Sequence, residues 1–278
     1  MSESTNVNNL FASAADDGDI SPETAQLLQV SDIGQQIQGA LGVDADTFEA
    51  SDVVLVSVMP DDSGSIRFAG KAQEVRDGHN LVVDALSDSK QSDNILMHTR
   101  YLNGEILFPY SPLSGAVRMD SHNYNPNQGT PLNDESVSFL GGVLAKTKEF
   151  SDQGIPARSV SCIISDGADM HSHRNSAADV AKVVRDMLAL EDHIVCAIGI
   201  DSEDAVGVNF KEIFMEMGIP EEWILEVSAT KPDGTKKSEA EFQSDIRKAF
   251  AVFSQSAVRA SQGAASFSQT ALGGFGSN

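Results

Sequence analysis

The chain has 278 residues, with 41 acidic side chains against 19 basic ones, a net charge of −22 and 41% hydrophobic residues. That size and apolar content suit one α/β domain with extensions, or two small domains. Such an acidic balance argues against nucleic acid and anionic lipid as partners, because phosphate binding needs Lys and Arg. No run of eighteen apolar residues offers a membrane span. The polar start MSESTNVNNLFASAADDGD has neither part of a secretory signal, so a cytoplasmic protein is expected.

Residues 1–20 are polar and acidic and are expected to be mobile. Ser21-Pro22-Glu23 then reads as an N-cap, a first-turn proline and an early acid. Leu27, Leu28, Ile33, Ile37 and Leu41 follow at loosely helical spacing. Residues 21–50 therefore predict one or two short amphipathic helices, packed on the main domain or forming a separate docking element. The main domain is expected over 51–261. Its first strand is the β-branched run VVLVSVM (53–59), the pattern of a strand buried on both faces. A turn at Asp61-Asp62-Ser63-Gly64-Ser65 leads to a helix over about 71–86, with Val75, Leu81, Val82, Val83, Ala85 and Leu86 as core candidates.

Asn103-Gly104 predicts a hairpin turn between strands at 95–102 and 105–109. An irregular loop over 111–130 precedes a helix over about 132–150. Strands at 159–164, 194–200 and 223–227 alternate with helices at 177–190, 210–217 and 239–261. This order predicts a doubly wound α/β fold: a mainly parallel sheet with one antiparallel edge strand and helices on both faces. Cys162 and Cys196 fall in two of the apolar strands and are expected to be buried and reduced. Residues 262–278, rich in Gly, Ser and Ala, read as a flexible tail or a peptide ligand for another protein.

Ligands of an open parallel sheet bind beyond the carboxyl ends of its strands. Asp61, Ser63 and Ser65 follow the first strand, Asp166 follows the strand at 159–164, and Thr130 opens the helix between them. Hydroxyl and carboxylate oxygens suit magnesium or manganese, which take about six oxygen ligands. If the carboxylates stay behind water, the inner shell is mostly neutral and an open position can accept an anion.

Asp61-x-Ser63-x-Ser65, the later Thr130 and the still later Asp166-Gly167 resemble the metal-ion-dependent adhesion site of von Willebrand factor A domains. Residues 51 to about 260 match that domain in strand order and motif placement. The resemblance implies a Rossmann-like fold and a bound Mg2+ or Mn2+, with Ser63, Ser65 and Thr130 nearest the ion and Asp61 and Asp166 acting mostly through water. It also implies a protein partner that supplies a carboxylate to the ion. The layout is more similar to bacterial intracellular members, including those near tellurite-resistance and chaperone-ATPase systems, than to integrins.

The competing reading of Asp61 and Ser63 is an ordinary turn and helix cap. His171 and His173 lie near Asp166 and read as solvated loop residues, as rim residues or as a second metal site. Asp62 and Asp169 read as surface acids, and Asp201 as an acid behind the site. The alternative function is a metal-dependent hydrolase using the same ion, with Ser63 beside His171 or His173. A third is a structural subunit that docks through its terminal segments.

Overall fold

A computed structural model of the chain describes residues 6–68, 71–201 and 209–276. Helices α1 (Val7–Asp16), α2 (Pro22–Leu28) and α3 (Ser31–Ala40) come first. Then follow β1 (Val53–Pro60), the short α4 (Gly64–Phe68), α5 (Ala72–Ser87), β2 (Ile95–Arg100) and β3 (Ile106–Pro112). The chain continues through α6 (Leu132–Asp152), β4 (Ala157–Ser165), α7 (Ala177–Ala189) and β5 (His193–Asp201). It ends with α8 (Phe210–Glu216), β6 (Ile224–Ser228), α9 (Glu239–Ala260) and α10 (Ala264–Gly273).

The six strands form one sheet in the order β3-β2-β1-β4-β5-β6. All neighbours are parallel except β2 and β3, which turn antiparallel at Asn103-Gly104. The apolar runs dictate this arrangement: every residue of β1, β2 and β4 is buried, as only a sheet covered on both faces allows. Helices α5 and α9 cover one face, and α6 and α7 the other. On α5 the buried positions Val75, Gly78, His79, Val82, Val83 and Leu86 form one stripe. Leu81, expected in the core, lies off that stripe and is 40% exposed. Cys162 and Cys196 sit opposite each other on β4 and β5, buried and free.

Two expectations about the ends are corrected. The segment expected to be mobile carries α1, whose Val7, Leu10, Phe11 and Ala14 repeat at helical spacing and are buried in the main core. Asn6 caps it by accepting the Asn8 N–H. The tail expected to be flexible carries α10. Phe267 and Phe275 are buried, Phe275 packs edge-on against Trp223, and the Trp223 indole N–H donates to Ala271 O at 3.1 Å. In both segments a short stripe gains its burial from tertiary partners that local composition does not announce.

Helices α2 and α3 pack on the main domain. Ser21 caps α2, and its own N–H and hydroxyl donate to Asp186 of α7 at 2.8 and 2.6 Å. Leu28 and Ile37 press on α6 at Gly141, where an added Cβ would stand 2.5 and 2.8 Å from their methyl carbons. Beyond α3 the Val43 N–H donates to Tyr110 O of β3 at 3.0 Å.

Candidate metal centre

The chain enters the sheet at β1, builds β2 and β3 on one side, then crosses to β4 on the other. The carboxyl ends of β1 and β4 therefore form a switch point, where loops diverge and leave a crevice. Their register is flush, pairing Pro60 with Ile164, and the Asp61 N–H donates to Ile164 O at 2.9 Å. Two loops distant in sequence thereby start side by side.

Four of the five expected residues are joined there by hydrogen bonds. Asp61 Oδ1 accepts the Ser63 N–H at 2.7 Å, and its Oδ2 accepts the Ser165 hydroxyl at 2.7 Å and the Asp166 N–H at 3.3 Å. Ser63 Oγ and Ser65 Oγ stand 2.8 Å apart, and Asp166 Oδ1 accepts from both, at 3.3 and 2.6 Å. Asp61 is fully buried and Asp166 nearly so. Burial, with the neighbouring Asp166 carboxylate adding to it, pushes the Asp61 carboxyl above its ordinary range against its hydrogen bonds. Asp62 is not the surface acid expected. It is buried, accepts the Asn103 N–H at 3.0 Å, and is pushed up to about 7, mainly by burial.

Thr130 is held alongside rather than within this network. Its carbonyl accepts the Met170 and His171 N–H groups at 3.1 and 3.3 Å, and its own N–H donates to His171 Nδ1 at 2.8 Å. Its methyl carbon lies 3.9 Å from where a Cβ on Gly167 would stand. His171 thus clamps the Thr130 backbone. Gly129 permits the approach, since a Cβ there would come within 3.0 Å of the imidazole. Asp201 bonds away from the cluster, to the Ser228 hydroxyl of β6 at 3.0 Å.

Several residues that hold the site had no signal in the motif. The long loop at 111–130 packs onto the Asp61 turn: the Tyr124 hydroxyl donates to Asp61 O, and the Asn127 and Gln128 N–H groups donate to Asp62 O at 2.9 and 3.1 Å. Asp134, in the first turn of α6, accepts the N–H groups of His173, Arg174 and Asn175 at 2.8, 3.1 and 2.7 Å. Asp169 is tied in as well, accepting the Ser172 hydroxyl at 2.5 Å. Asp134→Ala would leave three loop amides without their acceptor. We expect it to cost about 2–3 kcal/mol in urea denaturation, with faster hydrogen exchange at 173–175. Unchanged exchange there would show that the loop does not depend on Asp134.

The most consequential addition is Lys71, at the start of α5. Its ammonium contacts Asp166 Oδ2 at 2.8 Å, with both side chains at most 1% exposed. Among the described residues no cluster of three or more His, Cys, Asp or Glu side chains is placed to hold a metal. The donors at Asp61 are instead a mixture of hydroxyls and carboxylates, all oxygen. That set fits a small hard divalent cation, with two buried carboxylates at the same switch point to supply charge.

No protein-family model matches the sequence, and no curated protein resembles it at a significant level. Solved structures do. The pilus adhesin SpaC of Lactobacillus rhamnosus GG, in its open conformation, aligns over 76% of this chain and 30% of its own at 10% identity and a TM-score of 0.51. Proximal thread matrix protein 1 of the mussel byssus aligns over 73% of this chain and 47% of its own at 14% identity and a TM-score of 0.48. Manganese-loaded TRAP protein of Plasmodium vivax aligns over 65% and 70% at 18% identity and a TM-score of 0.42. The chain thus spans less than half the length of the first two. The fold is that of a von Willebrand factor A domain, with the strand order and antiparallel edge described above.

Proposed function

We propose that the protein is a metal-dependent protein-interaction module. Ser63, Ser65 and Thr130, with Asp61 and Asp166, would hold Mg2+ or Mn2+, and a carboxylate of a partner protein would complete the shell. The observation that carries this reading is the convergence of Ser63 Oγ, Ser65 Oγ and Asp166 Oδ1 within 2.6–3.3 Å of one another at the switch point.

Bound there, the ion would supply a Lewis-acidic position open to an anion. The chain's residues set the terms of that binding. The serine hydroxyls are neutral donors and leave the positive charge largely uncancelled. Asp61 has both carboxylate oxygens engaged, by Ser63 N–H on one and Ser165 Oγ on the other. It therefore orients the loop and adds charge from behind. His171 fixes the backbone of Thr130 at the rim, and Met170, 78% exposed beside it, offers a partner an apolar contact.

An adhesin sharing the fold supports a binding role. We propose a role as an adaptor or scaffold in an intracellular bacterial or phage system; the two buried free cysteines support the reducing, intracellular part of that setting. Among the described residues no helix is long and apolar enough to cross a membrane. The test is calorimetric titration with Mn2+ and Mg2+, paired with partner recovery in magnesium or in chelator. Wild-type protein should bind the ion and recover its partner in magnesium but not in chelator, and Asp61→Ala should bind neither ion nor partner. Equal recovery in all arms would sink the reading.

A further inference from the structure

We infer that Lys71 is a tethered counter-ion of the metal centre, holding the place of positive charge in the metal-free protein and leaving Asp166 when a divalent cation binds. The inference rests on the metal-site reading above and adds its regulation.

Three observations carry it. Lys71 Nζ sits 2.8 Å from Asp166 Oδ2, while Oδ1 of the same carboxylate accepts Ser65 and Ser63. The ammonium is therefore in contact with the residue that the ion would need. Both partners are almost wholly buried, with side chains 1% and 0% exposed. A lysine is so enclosed only when a paired charge compensates its loss of water. Finally, Lys71 is linked to the helix that carries Ser65. Its N–H donates to Ile66 O at 3.1 Å, and its carbonyl accepts the Val75 N–H at 3.1 Å as α5 begins.

The charge balance follows. Asp61 and Asp166 bring two carboxylates together, and Lys71 offsets one of them in direct contact. A divalent cation beside Asp166 would face that ammonium at a few ångströms in a medium that screens poorly. The repulsion between the two cations, both aimed at the Asp166 carboxylate, favours withdrawal of the ammonium, and the flexible four-carbon stem of lysine allows it. Metal affinity is thereby lowered by the cost of displacing Lys71. The metal-free site in turn remains folded instead of holding bare carboxylates. Occupancy of the centre and the position of Lys71 at the start of α5 become linked, so a partner that binds the ion-loaded centre would also favour the displaced state.

The test uses the full chain stripped with chelator and titrated with MnCl2, following bound and free ion by electron paramagnetic resonance. Lys71→Met and Lys71→Gln should each raise Mn2+ affinity on the order of tenfold or more, Gln serving if Met prevents folding. In wild-type protein, acetic anhydride labelling read by mass spectrometry should leave Lys71 unmodified in chelator and modify it in saturating Mn2+. That second readout needs no variant, and a bystander lysine would not show it. Equal or weaker binding by folded variants, or a Lys71 that stays unreactive when the ion is bound, overturns the inference while leaving the metal site standing. Failure of every chain, wild type included, to bind Mn2+ would remove the site itself.

Discussion

Asparagine in place of Asp166 is expected to destabilise the metal-free chain by about 3–5 kcal/mol, the usual cost of leaving one member of a buried ion pair alone. Lys71 is 1% exposed and has Asp166 as its counter-charge. The substitution keeps the shape of the side chain, so the loss is one of charge. Urea denaturation in chelator measures it. The Lys71→Met, Asp166→Asn double variant should recover much of the loss, because removing both charges costs far less than stranding one. The same single variant should bind Mn2+ at least about 10–100-fold more weakly. A single variant as stable as wild type would mean that Lys71 finds water, and the pair would lose its importance.

The second large effect concerns the N-terminal helices. Removing residues 1–45 should abolish the cooperative unfolding transition. Phe11, Leu28, Ile33 and Ile37 are at most 1% exposed and belong to the same core cluster as the sheet. Burying each contributes about 1.5–3 kcal/mol. Four such residues together rival the 5–15 kcal/mol by which domains are typically stable. The cut would also uncover Gly141 of α6 and leave Lys146 without Val43 O and Glu149 without the Ala45 N–H. Thermal unfolding followed by circular dichroism is the measurement. A truncated chain with a wild-type transition would show that the helices merely decorate the domain.

The sheet was legible wherever burial on two faces left continuous apolar runs, as at Val53–Pro60 and His193–Asp201. The Asn-Gly turn likewise marked the antiparallel edge. The Asp61 and Asp166 turns could be placed together because parallel strands put their carboxyl ends on one side. Helix α1 was not legible, since Val7, Leu10, Phe11 and Ala14 stand in a short, mostly polar segment and gain their burial by packing on α2, α3 and α6. Lys71 and Asp134 were hidden for a related reason. A lysine at a helix start and an aspartate in a first turn read as solvated or capping groups. Only the tertiary arrangement aims one at Asp166 and the other at the 173–175 amides. His171 reads in the sequence as a solvated loop residue, a rim residue or part of a second metal site; it is exposed at the rim, and its contact with the Thr130 N–H, allowed by Gly129, had no signal there.

The rung between Val43 and Tyr110 has a consequence for how this molecule can meet others. Strand β3 ends the sheet, and an uncovered outer strand is a template on which another chain can add itself backbone to backbone. Here the Tyr110 carbonyl is already taken, and Gly39 of α3 stands against Ile106 near the strand's beginning. A visiting strand would have to pull away α3 and the turn that follows it. Growth of the sheet through this edge is therefore obstructed at Tyr110 and at Ile106, and a second copy of the chain could add there only at the cost of the contacts that seat α3.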